Sequence, residues 1–190
     1  MRQFYDTYFN SPSSKERRSI LNLEMNSKDE KGFSCKTCIG NCCTFTSNSM
    51  MISPLEAYDI YVFLKNSPSF DERKLKASLE KNIKEFRLEN IDLGVRKTYT
   101  CPFYTGAKKG CTISRHSKPY GCLGFLPTQK AVNKGNDCRS DIGVLKKREL
   151  KFKQEEEQLN SLLKKSIGLC WDKLPISSAV LSLLENIKKY

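Results

Sequence analysis

The sequence predicts a mainly α protein with one small β-hairpin. Three observations lead there. Two capped, amphipathic stretches follow one another between residues 54 and 90, and two more fill the C-terminal part of the chain. A run of alternating β-formers, TYTCPFYTGAKKGCTI, is broken by Gly106 and Gly110 and reads as the hairpin. Eight of the nine cysteines cluster in one upstream run and in the irregular stretch that surrounds the hairpin. The 190 residues are 38% hydrophobic and 10% aromatic, which suits one domain with helical extensions and excludes a disordered chain.

Residues 1–30 read as an N-terminal arm. Phe4 and Tyr8, and Tyr5 and Phe9, stand four apart, so a short docked helix would lay these rings over the core. Residues 31–140 form the central unit. In it Ser53 is an N-cap, Pro54 the first helical position and Glu56 the partner that completes a capping box, predicting a helix over 54–66. Its apolar residues Leu55, Tyr58, Val62 and Leu64 lean to one side. A second box, Ser69 with Glu72, opens a helix to about residue 90, with Leu75, Leu79, Ile83 and Phe86 in one stripe. The hairpin then folds Cys101 back towards Cys111. The loop 114–140, rich in Pro, Gly and Ser, carries Cys122 and Cys138, and its length calls for something to tie it down. Residues 141–190 form a C-terminal helical extension, with helices over 143–166 and 176–189. The second has an apolar stripe of Ile176, Val180, Leu184 and Ile187, with Lys188 and Lys189 favourably placed at its C-terminus. No internal repeat is visible.

The formal net charge of +12 invites a nucleic-acid or membrane-surface reading. The basic residues are spread along the chain, however, as at Lys15 to Arg18 and Lys146 to Lys153, and spread charge is usually a solvated face. No apolar run is long enough to cross a membrane; the best, ISSAVLSLL, is short and serine-rich. The opening MRQFYDTYFNSPSS lacks a basic stretch followed by an apolar one, so a cytoplasmic protein is expected.

A reducing compartment gives nine cysteines a different meaning from a disulfide framework: metal binding or catalysis. Cys35-x2-Cys38 has the chelating step that lets a turn aim two sulfurs at one centre. Cys42 and Cys43 are neighbours whose side chains diverge, so they are expected to divide their duties, with Gly40 and Asn41 supplying the tight turn. They are also the expected reactive pair, since a nearby metal favours thiolate. The expected metal ligands are Cys35, Cys38, Cys42, Cys43, Cys101, Cys111, Cys122 and Cys138, filling two four-thiolate sites or one cluster plus a zinc. Thiolate-rich sites select Zn²⁺, Cu(I) or iron–sulfur clusters. The spacing is not that of a bacterial ferredoxin. Lys118 or Arg115 would stabilise the anionic site. Cys170, before Trp171, reads as a spare buried thiol, and His116, the lone histidine, as a loop residue rather than a ligand.

Taken together, these motifs resemble the YkgJ-like cysteine-cluster family, a zinc- or iron-chelating domain named for its CxxCxxCC run. The resemblance spans about residues 35–138. It rests on Cys35, Cys38, Cys42 and Cys43; on Cys101-Pro102-Phe103; on Cys111-Thr112-Ile113; on Lys118-Pro119-Tyr120-Gly121-Cys122; and on Phe125 with Pro127. This chain has one extra residue between Cys38 and Cys42 and one upstream of Lys118. Lys118 and Leu123 stand where the family has arginine, and an ammonium does not make a guanidinium's contacts. The resemblance implies a compact, irregular metal-stabilised cysteine-cluster domain that holds an iron–sulfur cluster, zinc or both. Larger relatives join such a domain to methyl transfer, as in flagellin lysine methylases.

The first functional expectation is therefore a cytoplasmic metal-cluster protein serving redox chemistry, metal handling or a partner enzyme. Its partners would be metal ions and a protein, with neither nucleic acid nor membrane insertion expected. Whether it is an enzyme stays open: one histidine limits acid–base chemistry, and no glycine-rich cofactor loop follows a strand. The alternative is a zinc-structured interaction module for nucleic acid or protein, using Lys97, Lys108 and Lys109 beside Tyr99, Phe103 and Tyr104.

Overall fold

The computed structural model describes residues 1–33, 40–89, 96–106, 110–128 and 138–187. It is mainly helical, with two small antiparallel sheets of two strands each. None of the described helices is long and apolar enough to cross a membrane.

The N-terminal arm is three helices: α1 (Arg2–Asn10), α2 (Ser14–Arg17) and α3 (Ser19–Glu30). Phe4 is fully buried and meets the Tyr58 ring edge-on, with centroids 4.9 Å apart, so the arm does cover the core. A capping box between Ser13 and Glu16 starts α2. The expected box at Ser53 and Glu56 opens α4 (Pro54–Lys65). The second box does not form. Asp71, not Ser69, caps α5 (Glu72–Phe86) by accepting a hydrogen bond from the Lys74 amide, while Ser69 turns to Ser67. An aspartate next to the helix start outcompetes a serine two residues further back. Helix α5 ends at Phe86, with Arg87 in the left-handed region at φ 52°, earlier than expected.

The hairpin forms around the Tyr104–Cys111 bridge: the Thr112 amide donates to the Phe103 carbonyl and the Thr105 amide to the Gly110 carbonyl, each at 3.0 Å. The two sheets pair segments remote in sequence or across the long loop. β1 (Met51–Ile52) pairs with β4 (Leu174–Pro175), and β2 (Phe125–Pro127) pairs with β3 (Cys138–Ser140). A short helix, α6 (Tyr120–Leu123), precedes β2, so the loop 114–140 is partly ordered by its own structure. Helix α7 (Ile142–Ile167) runs from an Asp141 cap to Gly168, whose φ of 68° suits a residue without Cβ. Helix α8 (Ile176–Ile187) packs on α4 and α5, and α7 packs on α1, α3 and α4. Leu55, Ile60, Leu79, Leu159, Leu163, Val180 and Leu183 share one core, so the two C-terminal helices are built into the central unit. Lys188 and Lys189 lie outside the described residues.

Candidate metal centre

The thiols are assembled by three backbone links. Gly40 takes φ 79° and opens a tight turn over Asn41–Cys43, closed by the Cys43 amide donating to the Gly40 carbonyl at 2.8 Å. Glycine is required there twice over, because a Cβ would also lie 2.8 Å from the Tyr104 ring. The Cys101 amide then donates to the Cys43 carbonyl at 2.7 Å, and the Tyr99 amide to the Asn48 carbonyl at 2.9 Å, so the two cysteine segments run side by side. The Tyr104–Cys111 bridge brings Cys111 back along the same segment. Helix α6 supplies Cys122.

The result is a cavity of about 630 Å³ lined by Cys42, Cys43, Cys101, Cys111 and Cys122 together with Lys118. The Cys42 and Cys43 sulfurs are 4.0 Å apart. A hydrogen bond from Cys43 lowers the Cys42 thiol to about 7, against the pull of burial and with help from Lys118. The same bond raises Cys43, and burial adds to it. Burial pushes Cys101 up to about 12 and holds Cys122 well above its ordinary value, with neighbouring thiols adding to both. By donor chemistry the five thiols suit a thiophilic metal, and the same lining carries Arg96, Arg148, Lys153 and Lys173 with Glu56, Glu149, Glu156 and Glu157. Among the described residues, no three Cys, His, Asp or Glu side chains are arranged to hold an ion.

Of the remaining expected ligands and partners, those among the described residues stand away from the cavity thiols. Cys35 and Cys38 lie outside the described residues. Cys138 is half-buried in β3, opposite Pro127, and does not line the cavity. Arg115 donates to Asn26 at 2.9 Å and to the Asp29 carboxylate at 3.0 Å on α3, so its guanidinium is engaged away from the thiols. His116 is exposed. Cys170 is exposed as well, contrary to the expected buried thiol: Leu169 turns inward and Cys170 outward where the chain leaves α7. Of the rings expected to face nucleic acid, Tyr99 and Phe103 are in the core and offer no stacking face. Lys97 donates to the Arg87 carbonyl, and Lys108 and Lys109 lie outside the described residues.

Beside the thiols stands a charged network that the sequence did not reveal. Arg17 and Arg18 read as part of a surface run, yet both are fully buried and pair with Asp59 at 2.6 and 2.7 Å. Arg18 also donates to the Lys118 carbonyl at 2.7 Å. The Arg148 guanidinium lies 3.3 Å over the Tyr120 ring and is paired with Glu156, to which the Tyr120 hydroxyl donates at 2.5 Å. Glu56 does more than cap α4. One of its oxygens accepts from Ser53 and the other from the Tyr120 amide at 2.9 Å, tying the start of α4 to the helix that bears Cys122. The Ser13–Glu16 box, which starts a helix under the two arginines, was the one local signal that they belong to a packed element.

Set against family models, curated proteins and solved structures, the chain matches none.

Proposed function

We propose that this chain is a cytoplasmic metal-cluster protein of the YkgJ-like type, holding an iron–sulfur cluster, zinc or both through cysteine thiolates. The observation that carries the reading is the convergence of Cys42, Cys43, Cys101, Cys111 and Cys122 on one cavity beside Lys118. Five thiols gathered on one cavity with no metal to bind would be an unusual use of cysteine in a reducing compartment. Cys35, Cys38 and Cys138 complete the proposed ligand set by their place in the sequence motif. A bound metal would supply redox chemistry as a cluster, or a closed structural centre as zinc. Lys118 would offset the negative charge of the thiolates, and the network around Tyr120 would hold Cys122 in position. The role that follows is redox chemistry, metal handling or support of a partner protein.

Anaerobic purification followed by elemental analysis and a visible spectrum on one sample tests this. Brown protein with iron and sulfide supports a cluster, and colourless protein with zinc supports closed thiolate sites. Protein isolated with neither, and unable to take up either under reducing conditions, would end the reading.

A further inference from the structure

An ion fills little of a cavity of about 630 Å³, a size that suits a small organic molecule. The charges on its lining show what kind. Most of the carboxylates there are already matched. Glu156 is paired with Arg148, and Glu157 with Lys153 at 3.9 Å. Glu56 accepts from the Ser53 and Tyr120 amides.

Four charges are left over. Among the described residues, Arg96, Lys118 and Lys173 have no carboxylate partner, and Glu149 has no cationic one. Lys118 is half-buried, four residues before Cys122, whereas Arg96 and Lys173 are exposed. Backbone pairing fixes where the two exposed cations stand. The Tyr99 amide, three residues after Arg96, donates to the Asn48 carbonyl at 2.9 Å, and β4, which Lys173 precedes, pairs with Met51 and Ile52. Both are therefore anchored beside the segment 47–51, which follows the Cys42–Cys43 turn and also lines the cavity. Three cations against one carboxylate favour a molecule with more carboxylates than amino groups.

The reactive groups in the same space are thiols, so an acidic molecule with a disulfide of its own would find both its charge and its sulfur met. We propose that the cavity takes a small acidic disulfide, of the carboxylate-bearing peptide-thiol class, and exchanges with it. A cavity thiolate attacks one sulfur of the disulfide. The S–S bond breaks and a mixed disulfide forms on the protein. The other half leaves with the electron pair as a thiolate and takes a proton from water. The protein sulfur is oxidised and the departing sulfur reduced. Arg96, Lys118 and Lys173 attract the carboxylates, and Glu149 the amino group. This exchange needs the cavity and its thiols but no metal, and so stands apart from the metal-binding reading above.

The test uses the full chain, metal-free and reduced, with Cys170→Ser to silence the exposed thiol. It is mixed anaerobically with glutathione disulfide, neutral hydroxyethyl disulfide or cationic cystamine. Peptide mass spectrometry reads the rate at each cysteine, normalised to the rate of each reagent with a free model thiol. Adducts on Cys42, Cys43, Cys111 or Cys122 should form fastest with glutathione disulfide. Arg96→Gln with Lys173→Gln should cut that advantage by up to about fivefold per charge, the worth of an exposed ion pair. Lys146→Gln with Lys147→Gln removes the same charge outside the cavity lining and should leave the advantage intact. All four substituted residues are exposed, so folding is not at stake. An equal loss in the two double variants would assign the preference to the overall positive charge and overturn the proposal. Equal normalised rates for the three reagents, or adducts confined to cysteines outside the cavity, would overturn it too.

Discussion

Two regions meet at Tyr120, and they are built on opposite plans. Behind it, Arg17, Arg18, Asp59, Arg148 and Glu156 are charges already matched to one another, with Asp59 and both its arginines fully out of water. In front of it, the thiols share a cavity in which burial and mutual repulsion resist ionisation, and Lys118 is the cation that acts on them. The charged network is complete within the protein, apart from Arg18 Nη2, which has no hydrogen-bond partner among the described residues. Burial disfavours the thiolates of Cys43, Cys101 and Cys122, while Cys42 is lowered to about 7. Matched buried charges and clustered thiols thus occupy neighbouring but separate sets of side chains.

The sharpest way to break this division is Asp59→Asn. It strands two buried guanidinium groups, and removing one partner of a buried pair costs about 3–5 kcal/mol. Urea unfolding should show that loss, while the metal content of the molecules that remain folded stays unchanged. The pH dependence has a definite sign. Burial pushes the Asp59 carboxyl up, but Arg18 and Arg17 overcome it and hold the group below its ordinary 3.8. The stability this adds is complete above 3.8 and is lost as pH falls through the lowered value. Wild type should therefore lose stability in acid more steeply than Asp59→Asn.

Cys111→Ser tests the other side of the division. It should lower bound metal and destabilise the metal-loaded protein, because binding energy is partly folding energy. The metal-free protein should change by only about 1 kcal/mol, as for an ordinary mild substitution. Equal losses with and without metal would assign Cys111 to packing.

A smaller effect concerns reactivity within the cavity. With metal absent, Cys42 ionises near 7, whereas Cys101 is held near 12. Iodoacetamide at about pH 8 should label Cys42 ahead of Cys43, Cys101 and Cys122, since the thiolate is the nucleophile. Mass spectrometry reads the order, and uniform labelling would contradict the Cys42–Cys43 hydrogen bond. The smallest expected effect is Cys170→Ser. Being exposed, it should stay within about 0.5 kcal/mol of wild type and leave metal content unaltered.

Much of the helical structure was legible because its signals are local. The Ser53–Pro54–Glu56 start of α4, the length of α7 and the apolar stripe of α8 are decided within a few residues, by caps and by periodicity. The start of α5 was misread for the same reason: two capping residues stood close together, and aspartate won. The hairpin was legible because its turn and its alternation are local, and Cys111 does fold back along the Cys101 segment. The pairings of β1 with β4 and of β2 with β3 were not, because alternation does not say which remote partner a strand will find. For the site, Cys42, Cys43, Cys101, Cys111, Cys122 and Lys118 were all legible as residue types at motif spacing. Arg17, Arg18, Arg148 and Glu156 were not, because a charged residue in a helix looks the same whether it faces water or a buried partner.

By itself the sequence determined where the helices form, where Gly40 lets the chain turn, and which thiols are available. Only the tertiary structure decided that five of them share one cavity, that Arg115 belongs to Asp29 and that Cys170 faces water. Caps and turns are energies between neighbours along the chain. Convergence and burial depend on which remote surfaces pack together, and here the packing of α4, α7 and α8 made that choice.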